Sequence, residues 1–412
     1  LKKWKEGKMR VAIIGNGVAG VTTARILREK KVQAEITIFA EEPYPYYPRP
    51  RLIEFLQGNL GEKEIFYYPQ DWYEKNQIEV LYATPVEEVY PEEKSLKTKS
   101  GKSAFFDFLV ISTGSRANVP PFGNLDLSGI FTLRTLAGAL AIKEWALSNS
   151  RKTLVIGGGL LGLESAFALA RLGKEVTVLD HSERLLSRQL DEEGAALLKD
   201  LLEQRGIEVI LKASCDSFLG EKKVEGAQLK DGKSVSGDMV LISAGVRPEV
   251  SLFQGKGILT EKGIVVNDQM QTNFPYIYAV GDVAQWRGKM WGIIPPALDQ
   301  AAVAASAING EKVSYEGTVP SNVLKVAGLD LITAGNTIPL EPGFQEFRVK
   351  DQERGIYLKI VLKDNLVVGA IALGWKKAGL TMNRMVQEKR EMSPEEAQSF
   401  LEDTFKEIER SI

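Results

Sequence analysis

Cysteine and histidine are almost missing from this chain of 412 residues: Cys215 is its only cysteine and His181 its only histidine. One cysteine forms no intrachain disulfide, no redox dithiol and no Cys-ligated iron–sulfur or zinc centre, and one histidine does not rescue a mixed His/Cys metal site. No metal is expected. A charge excess is missing too: 52 Lys+Arg against 54 Asp+Glu give a formal net charge of −2, which leaves no electrostatic footprint for a nucleic acid. Apolar runs stop at strand length, as at 109–111 and 278–280, far short of the roughly 20 residues of a membrane helix. Residues 1–8 are basic and polar, Met9 reads as an alternative start, and the first apolar segment already opens the fold. A signal peptide is therefore not expected, and the protein is expected to be soluble and cytoplasmic, with no membrane partner. His181 reads as an exposed loop residue, and Cys215, outside every motif below, as structural.

What the chain does contain is one pattern used twice. Gly15-Asn16-Gly17-Val18-Ala19-Gly20 follows the apolar run 11–14, and Gly157-Gly158-Gly159-Leu160-Leu161-Gly162 follows 153–156. Each turn leads into a helix of small residues and then a second apolar strand closed by an acid, Glu41 after 36–40 and Asp180 after 176–179. A lone GxGxxG is weak evidence, because glycine serves ordinary turns; between strand and helix, with the acid downstream, it predicts a dinucleotide site. The first glycine takes a backbone angle that other residues avoid, the second lets main-chain amides approach a pyrophosphate, and the third brings helix against strand. The helix start then offers unpaired N–H groups to the phosphates. Two copies imply two dinucleotides on one chain.

The duplication extends beyond the loops. Apolar segments at 78–82 and 207–211 are each followed by short strand-like pieces, with turns at Pro91, Gly101 and Asp231-Gly232, and then by return strands at 108–114 and 239–245. Short hairpins before a buried parallel strand predict a small antiparallel sheet on one face and helices on the other. A further apolar strand, 276–280, ends in Gly281-Asp282; it has no place in the second half and is expected to complete the sheet of the first. Beyond 318 the pattern becomes alternating strands, with 357–362 and 366–371 flanking Lys363-Asp364-Asn365, and Ser393-Pro394-Glu395-Glu396 opens a final amphipathic helix. This tail shows no chemistry of its own. The predicted fold is α/β: two three-layer β/β/α dinucleotide-binding domains, the second inserted in the first, plus a small α+β C-terminal domain. The boundaries read as 1–116 and 248–318 for the first, 117–247 for the second, and 319–412 for the tail.

With two Gly-rich loops, Ser112-Thr113-Gly114 on the first return strand and Gly281-Asp282, the chain resembles the FAD-dependent pyridine nucleotide oxidoreductases over nearly its whole length. Glu42-Pro43-Tyr44 and then Tyr46-Tyr47-Pro48-Arg49-Pro50-Arg51-Leu52 are most similar to NADH:rubredoxin oxidoreductases and the flavin portion of nitrite reductases; ferredoxin reductases of aromatic dioxygenases are more distant. The resemblance implies FAD at Gly15, Gly17, Val18, Ala19 and Gly20, with Ala40 and Glu41 at the adenosine ribose and Arg49 near the phosphates or the isoalloxazine. Val86, Thr113, Gly114, Gly281, Asp282 and Ala297 complete the FAD-binding set. Pro295-Pro296 would open a helix over 297–309 whose N-terminus stabilises negative charge on the flavin pyrimidine. NAD(H) would lie at Gly157, Gly159, Leu160, Leu161 and Gly162, with Asp180 at the ribose and Gly245 passing beside it.

Glu164 is implied near the nicotinamide, although a glutamate there is also an ordinary residue for a helix N-terminus. Where dioxygenase-type relatives carry a lysine, this chain has Glu54; Glu54 and Glu164 are the candidate catalytic residues, facing the flavin with one protonated by like-charge repulsion. The paired cysteines and C-terminal histidine of disulfide reductases are missing, as is the single cysteine of flavin peroxidases near 46–50. The expected activity is transfer of electrons from NADH through FAD to a small iron–sulfur protein, rubredoxin or ferredoxin, docked on a rim formed by Trp286, Arg287, Lys289 and Trp291, unless these are loop residues packed by the two tryptophans. Asp180 favours NADH over NADPH, with Arg184 and Arg188 weakening that preference. The flavoprotein component of a nitrite reductase-type complex and a non-turnover NADH-binding redox sensor are the alternatives, and whether the chain forms a homodimer is left open.

Overall fold

A computed structural model describes residues 8–69, 71–326 and 328–411. The apolar runs around the Gly-rich loops form two five-stranded parallel sheets. The first has the order Ile277–Ala279, Phe108–Ile111, Met9–Ile14, Ala34–Phe39, Ile78–Leu81. Ile277 sits opposite Leu109 and Ala279 opposite Ile111. The sheet is thus finished by chain that returns after the segment with the second Gly-rich loop, which is the insertion expected of the fold. The strands are apolar along most of their length because parallel sheets are covered on both faces; Ile13, Ile38, Leu109 and Val110 are fully buried.

The second sheet repeats the order, with Ile207–Ile210, Glu175–Leu179, Lys152–Ile156, Met239–Ile242 and Ile130–Thr132. Its fifth strand precedes the loop, whereas the equivalent strand of the first sheet follows everything else. Neither this strand nor the helix after it, Leu136–Asn149, stands out in the sequence. The strand is three half-buried residues long, and the apolar residues of the helix are spread around it rather than gathered in one stripe, with the Thr135 hydroxyl accepting from the Gly138 N–H at 3.1 Å to mark its start. Each parallel sheet has the expected three-stranded antiparallel companion: Val86–Tyr90, Ser95–Thr98 and Ser103–Phe105, and then Cys215–Leu219, Gly226–Leu229 and Ser234–Ser236.

The tail is a five-stranded antiparallel sheet, ordered Ser321–Val326, Leu329–Gly335, Leu366–Leu373, Ile356–Lys363, Phe344–Asp351, with the helices Lys376–Gln387 and Pro394–Ser411. Its central hairpin turns on two residues, Asp364 and Asn365, at φ 52° and 58°, the left-handed pair that a tight hairpin requires and that Asp and Asn tolerate. The last helix starts with a reciprocal cap: the Ser393 hydroxyl accepts from the Glu396 N–H at 3.2 Å, and the Glu396 carboxylate from the Ser393 N–H at 2.7 Å.

Main-chain contacts divide the chain into two compact units, one holding residues 8–51, 60–116 and 246–318, the other 52–59, 117–245 and 319–411. Within the second, the fully buried Lys359 ammonium lies 2.7 Å from Asp191 and 2.6 Å from Glu346, and the Tyr357 hydroxyl donates to Asp191 at 2.6 Å. Asp191 also caps the helix Glu192–Gln204 by accepting from the Gly194 N–H at 3.0 Å. This network fastens the tail sheet to that helix. No helix among the described residues is long and apolar enough to cross a membrane.

Candidate functional site

Six of the seven loop glycines divide by what a side chain would meet. A Cβ on Gly15, at φ 112°, would come 2.3 Å from the Ser112 carbonyl oxygen, and one on Gly20 would come 2.2 Å from the Gly15 carbonyl oxygen. The second loop repeats this: Gly157, at φ 116°, would meet the Ser243 carbonyl oxygen at 2.3 Å, and Gly162 the Gly157 carbonyl oxygen at 2.0 Å. These four are demanded by the protein's own packing. Gly17 and Gly159 differ, for a Cβ there meets nothing within 4 Å. Each precedes a helix, Val18–Glu29 or Leu160–Arg171, and no side chain caps either helix start. Open space over uncapped N–H groups is what a pyrophosphate needs, so both loops fit a dinucleotide.

Around the first loop the structure gathers residues far apart in sequence. The Ser112 hydroxyl donates to the carbonyls of Ile14 and Gly15 at 2.9 and 3.1 Å, tying the return strand to the loop. Gly281 packs so closely that its Cβ would lie 3.0 Å from that of Ala19 and 3.8 Å from that of Ala297. The first loop, the Gly-Asp motif and the proline-started helix Ile294–Ile308 therefore converge, and the Gln300 amide oxygen of that helix accepts from the Gly281 N–H at 2.8 Å. Asp282 accepts from the Ser115 hydroxyl at 2.6 Å, and the Thr113 hydroxyl donates to the Glu249 carbonyl at 2.8 Å, beside Gly114. Ala40 is buried and Glu41 exposed at the end of the second strand, and Val86 is half-buried. Arg49 is already engaged: its guanidinium is 2.7 Å from Glu42 and donates to the Tyr47 hydroxyl, which donates to Glu42 at 2.5 Å. Ser115 and Gln300 have no signal in the sequence, whereas Ser112, Glu42 and Tyr47 stand there only within the motifs that carry the resemblance, without a role of their own.

Around the second loop, Asp180 is buried and its carboxylate accepts main-chain N–H groups from Gly158 at 2.5 Å and Ser182 at 2.7 Å. It braces the loop as well as placing negative charge there. His181 is exposed, 3.6 Å from Asp180. Arg184 donates to the carbonyls of Leu190 and Ser187, both at 3.3 Å, and so is committed to its own loop. The Gly245 carbonyl accepts from the Asn118 N–H at 2.9 Å, and Leu160 and Leu161 open the helix behind the loop.

Glu164 lies on the same helix, half-buried, and Glu54 is exposed on the short helix Arg51–Leu56. Crowding by surrounding protein pushes the Glu164 carboxyl up to about 7; the like charge of Glu54 adds to this, and a hydrogen bond from the Lys325 main chain opposes it. Like-charge repulsion was expected to be the cause. Burial is the larger one.

The segment with Trp286, Arg287, Lys289 and Trp291 has the tryptophan packing of the second of its two readings, while Arg287 and Lys289 are exposed. Trp286 is buried and packs with Trp291 and Tyr315 at ring separations of 6.0 and 4.9 Å. Arg287 lies over the Trp286 ring and pairs with Asp268 at 2.8 Å, which neutralises much of its charge. Cys215 is buried and free, its thiol pushed up to about 11 by burial, so it is a poor nucleophile.

Comparison with known proteins bears on both sites. The Pyridine nucleotide-disulphide oxidoreductase family matches residues 9–307, and the Rubredoxin NAD+ reductase C-terminal domain matches residues 320–390. The chain is 37% identical to a nitrite reductase [NAD(P)H] of Bacillus subtilis (strain 168) over 98% of its own length, but it spans only 50% of that protein. It is 32% identical to an NADH-rubredoxin oxidoreductase of Clostridium acetobutylicum, covering 92% of this chain and 94% of that one. The crystal structure of NADH:rubredoxin oxidoreductase from Clostridium acetobutylicum superposes with a TM-score of 0.76 at 31% identity, over 93% of this chain and 96% of the other. The family and its solved members give FAD and NAD(H) as the cofactors of the two glycine cradles. With most of its length matched and both glycine cradles in place, the chain belongs to the pyridine nucleotide-disulphide oxidoreductase family.

Proposed function

We propose that the protein takes electrons from NADH onto FAD and passes them to a small iron–sulfur protein, rubredoxin or ferredoxin. The observation that carries this is the pair of open glycine positions, Gly17 and Gly159, each over its own uncapped helix start. The match of the tail to a rubredoxin reductase domain supports the class of acceptor. In this reading the segments 1–116 and 248–318 serve FAD, 117–247 serves NAD(H), and 319–412 is the tail domain.

FAD, when bound, accepts an electron pair from NADH and releases electrons one at a time. The chain's part is to hold and orient. The first loop takes the FAD pyrophosphate, Arg49 adds positive charge, and Asp282 takes the ribityl hydroxyls. The helix Ile294–Ile308 offers its N-terminal N–H groups to negative charge on the ring. The second loop and Asp180 hold NADH by its adenosine half, and Glu164 with Glu54 acts at the nicotinamide end. No protein thiol takes part, because the one cysteine is buried and lies outside both loops.

The flavoprotein portion of a nitrite reductase-type assembly is the second reading, favoured by the 37% identity to a protein of which this chain spans 50%. Anaerobic reduction of the purified protein by NADH, followed by addition of rubredoxin, ferredoxin or a sirohaem partner, separates the two. Reoxidation by rubredoxin or ferredoxin supports the first reading, reoxidation only by the sirohaem partner supports the second, and a long-lived reduced complex with no acceptor supports a sensor. Acid precipitation should release one FAD per chain, since the first unit offers no histidine or cysteine for a covalent link.

A further inference from the structure

The tail sheet ends on an open edge. Among the described residues Phe344–Asp351 pairs on one side only, antiparallel to Ile356–Lys363, from Phe344 opposite Lys363 to Asp351 opposite Ile356. Edge strands are commonly guarded by shortness, by proline, by a bulge or by charge. This one is eight residues long, contains no proline and keeps its register with Ile356–Lys363 throughout. Two of its charges are committed to the chain itself: Glu346 lies 2.6 Å from the buried Lys359 ammonium, and Arg348 lies 3.2 Å from Glu193. By alternation Phe347 and Val349 take the other face, where they pack on the core covered by the helix Pro394–Ser411. Beside Phe347 lies a groove of about 450 Å³, with Glu395, Gln398 and Glu402 of that helix along it. Glu395 and Glu402 stand two helical turns apart, about 10 Å, and both are exposed. Neither is paired with a cation among the described residues: Glu395 accepts from the Ser393 hydroxyl and Glu402 from the Gln398 amide, both at 2.8 Å. The whole helix carries six carboxylates and two cations.

Open main-chain donors and acceptors, an aromatic floor and a wall of uncompensated negative charge match one kind of ligand, an extended basic segment. We propose that Phe344–Asp351 takes such a segment of a partner protein as a sixth strand of the tail sheet, with lysine or arginine side chains turned toward Glu395 and Glu402. In strand addition the main-chain hydrogen bonds give affinity and the side chains give specificity. A second copy of this chain fits less well. Two such strands paired antiparallel across a twofold axis would set both acidic helices on the same face, like charge beside like. Neither Gly-rich loop contributes a residue to this surface.

The test is fluorescence anisotropy of labelled peptides with the FAD-loaded protein. The probes are a peptide of alternating threonine and lysine, matched to the eight residues of the strand, its counterpart with glutamate for lysine, and the lysine peptide with every backbone amide methylated. The lysine peptide should bind, less tightly as salt rises, and the other two should not. In the double variant Glu395→Gln, Glu402→Gln it should bind about three- to tenfold more weakly, while the thermal melt stays that of the parent. Equal binding of the glutamate or the methylated peptide, or an unchanged affinity in the double variant, overturns the proposal, as does no binding of the lysine peptide at millimolar concentration. Sedimentation as a dimer that the double variant tightens would put a second copy on the edge and overturn it as well.

Discussion

At the scale of single residues, the glycines separate a ligand's demand from the fold's. Gly17→Ala adds a methyl group in open space, so the protein should fold with little change in stability and lose FAD affinity while keeping that for NAD+; Gly159→Ala should do the reverse. Gly20→Ala and Gly162→Ala instead drive a carbon into a carbonyl oxygen and should cost about 1–3 kcal/mol or more. Thermal melts with and without each nucleotide read both effects, and equal destabilisation in all four variants would contradict the assignment. Glu164 gives a second test. Its carboxyl is raised from 4.5 to about 7 in the folded protein, so the folded state binds the proton more tightly than the unfolded chain and loses stability as pH rises through that window. Glu164→Gln should therefore be more stable than the parent at pH 8, by about 1–3 kcal/mol, and about equal at pH 4; denaturant midpoints at the two pH values decide it. Much of this was legible beforehand. Glycine spacing marks the loops because no other residue serves there, and the acid at 180 marks a strand end. The brace from Asp180 to the Gly158 N–H was not legible, since it depends on a carboxylate turning back toward the loop.

At the scale of elements, the sequence showed long, one-character segments and hid short or uniform ones. The strand Ile277–Ala279 was placed in the first sheet because an apolar run with no other home must pair somewhere, and the capping box at Ser393 was read from four residues. Ile130–Thr132 was missed because three half-buried residues carry no period, and Leu136–Asn149 because its apolar residues form no single stripe. The fastening of the tail was equally hidden: Lys359 lies within the alternating strand Ile356–Lys363, yet its ammonium is fully buried between Asp191 and Glu346. Removing it as Lys359→Ala leaves two carboxylates without their cation and should cost about 3–5 kcal/mol. Burial alone would raise the Asp191 carboxyl, but Lys359, the Tyr357 hydroxyl and the Gly194 N–H together hold it below the usual range. Its contribution is then present above the unfolded value and lost as pH falls through the folded one, so the deficit of Lys359→Ala should be full near neutrality and shrink in acid. A variant as stable as the parent near neutral pH would show that the network does not fasten the tail.

At the scale of the whole molecule, the proposed function turns on where electrons enter and leave. In the proposed reading Asp180 keeps negative charge where a 2′-phosphate would sit, and Arg184, which could have accommodated that phosphate, is bound to its own loop. NADH should be preferred over NADPH, and Asp180→Ala should narrow the preference while weakening both cofactors, because it also removes the brace on Gly158. Steady-state kcat/KM for the two cofactors checks this, and equal values in the unmodified protein would refute it. With Cys215 buried and Arg287 paired to Asp268, the proposed outward path uses neither a thiol relay nor a rim of free arginine. The most direct test of the central claim is stopped-flow oxidation of the NADH-reduced, FAD-loaded protein by rubredoxin, by ferredoxin and by a disulfide such as glutathione disulfide, in the parent and in Cys215→Ser. Fast oxidation by rubredoxin or ferredoxin, unchanged in Cys215→Ser, with no reaction toward the disulfide, is the predicted result; fast reaction with the disulfide alone, or loss of acceptor reduction in Cys215→Ser, would contradict it.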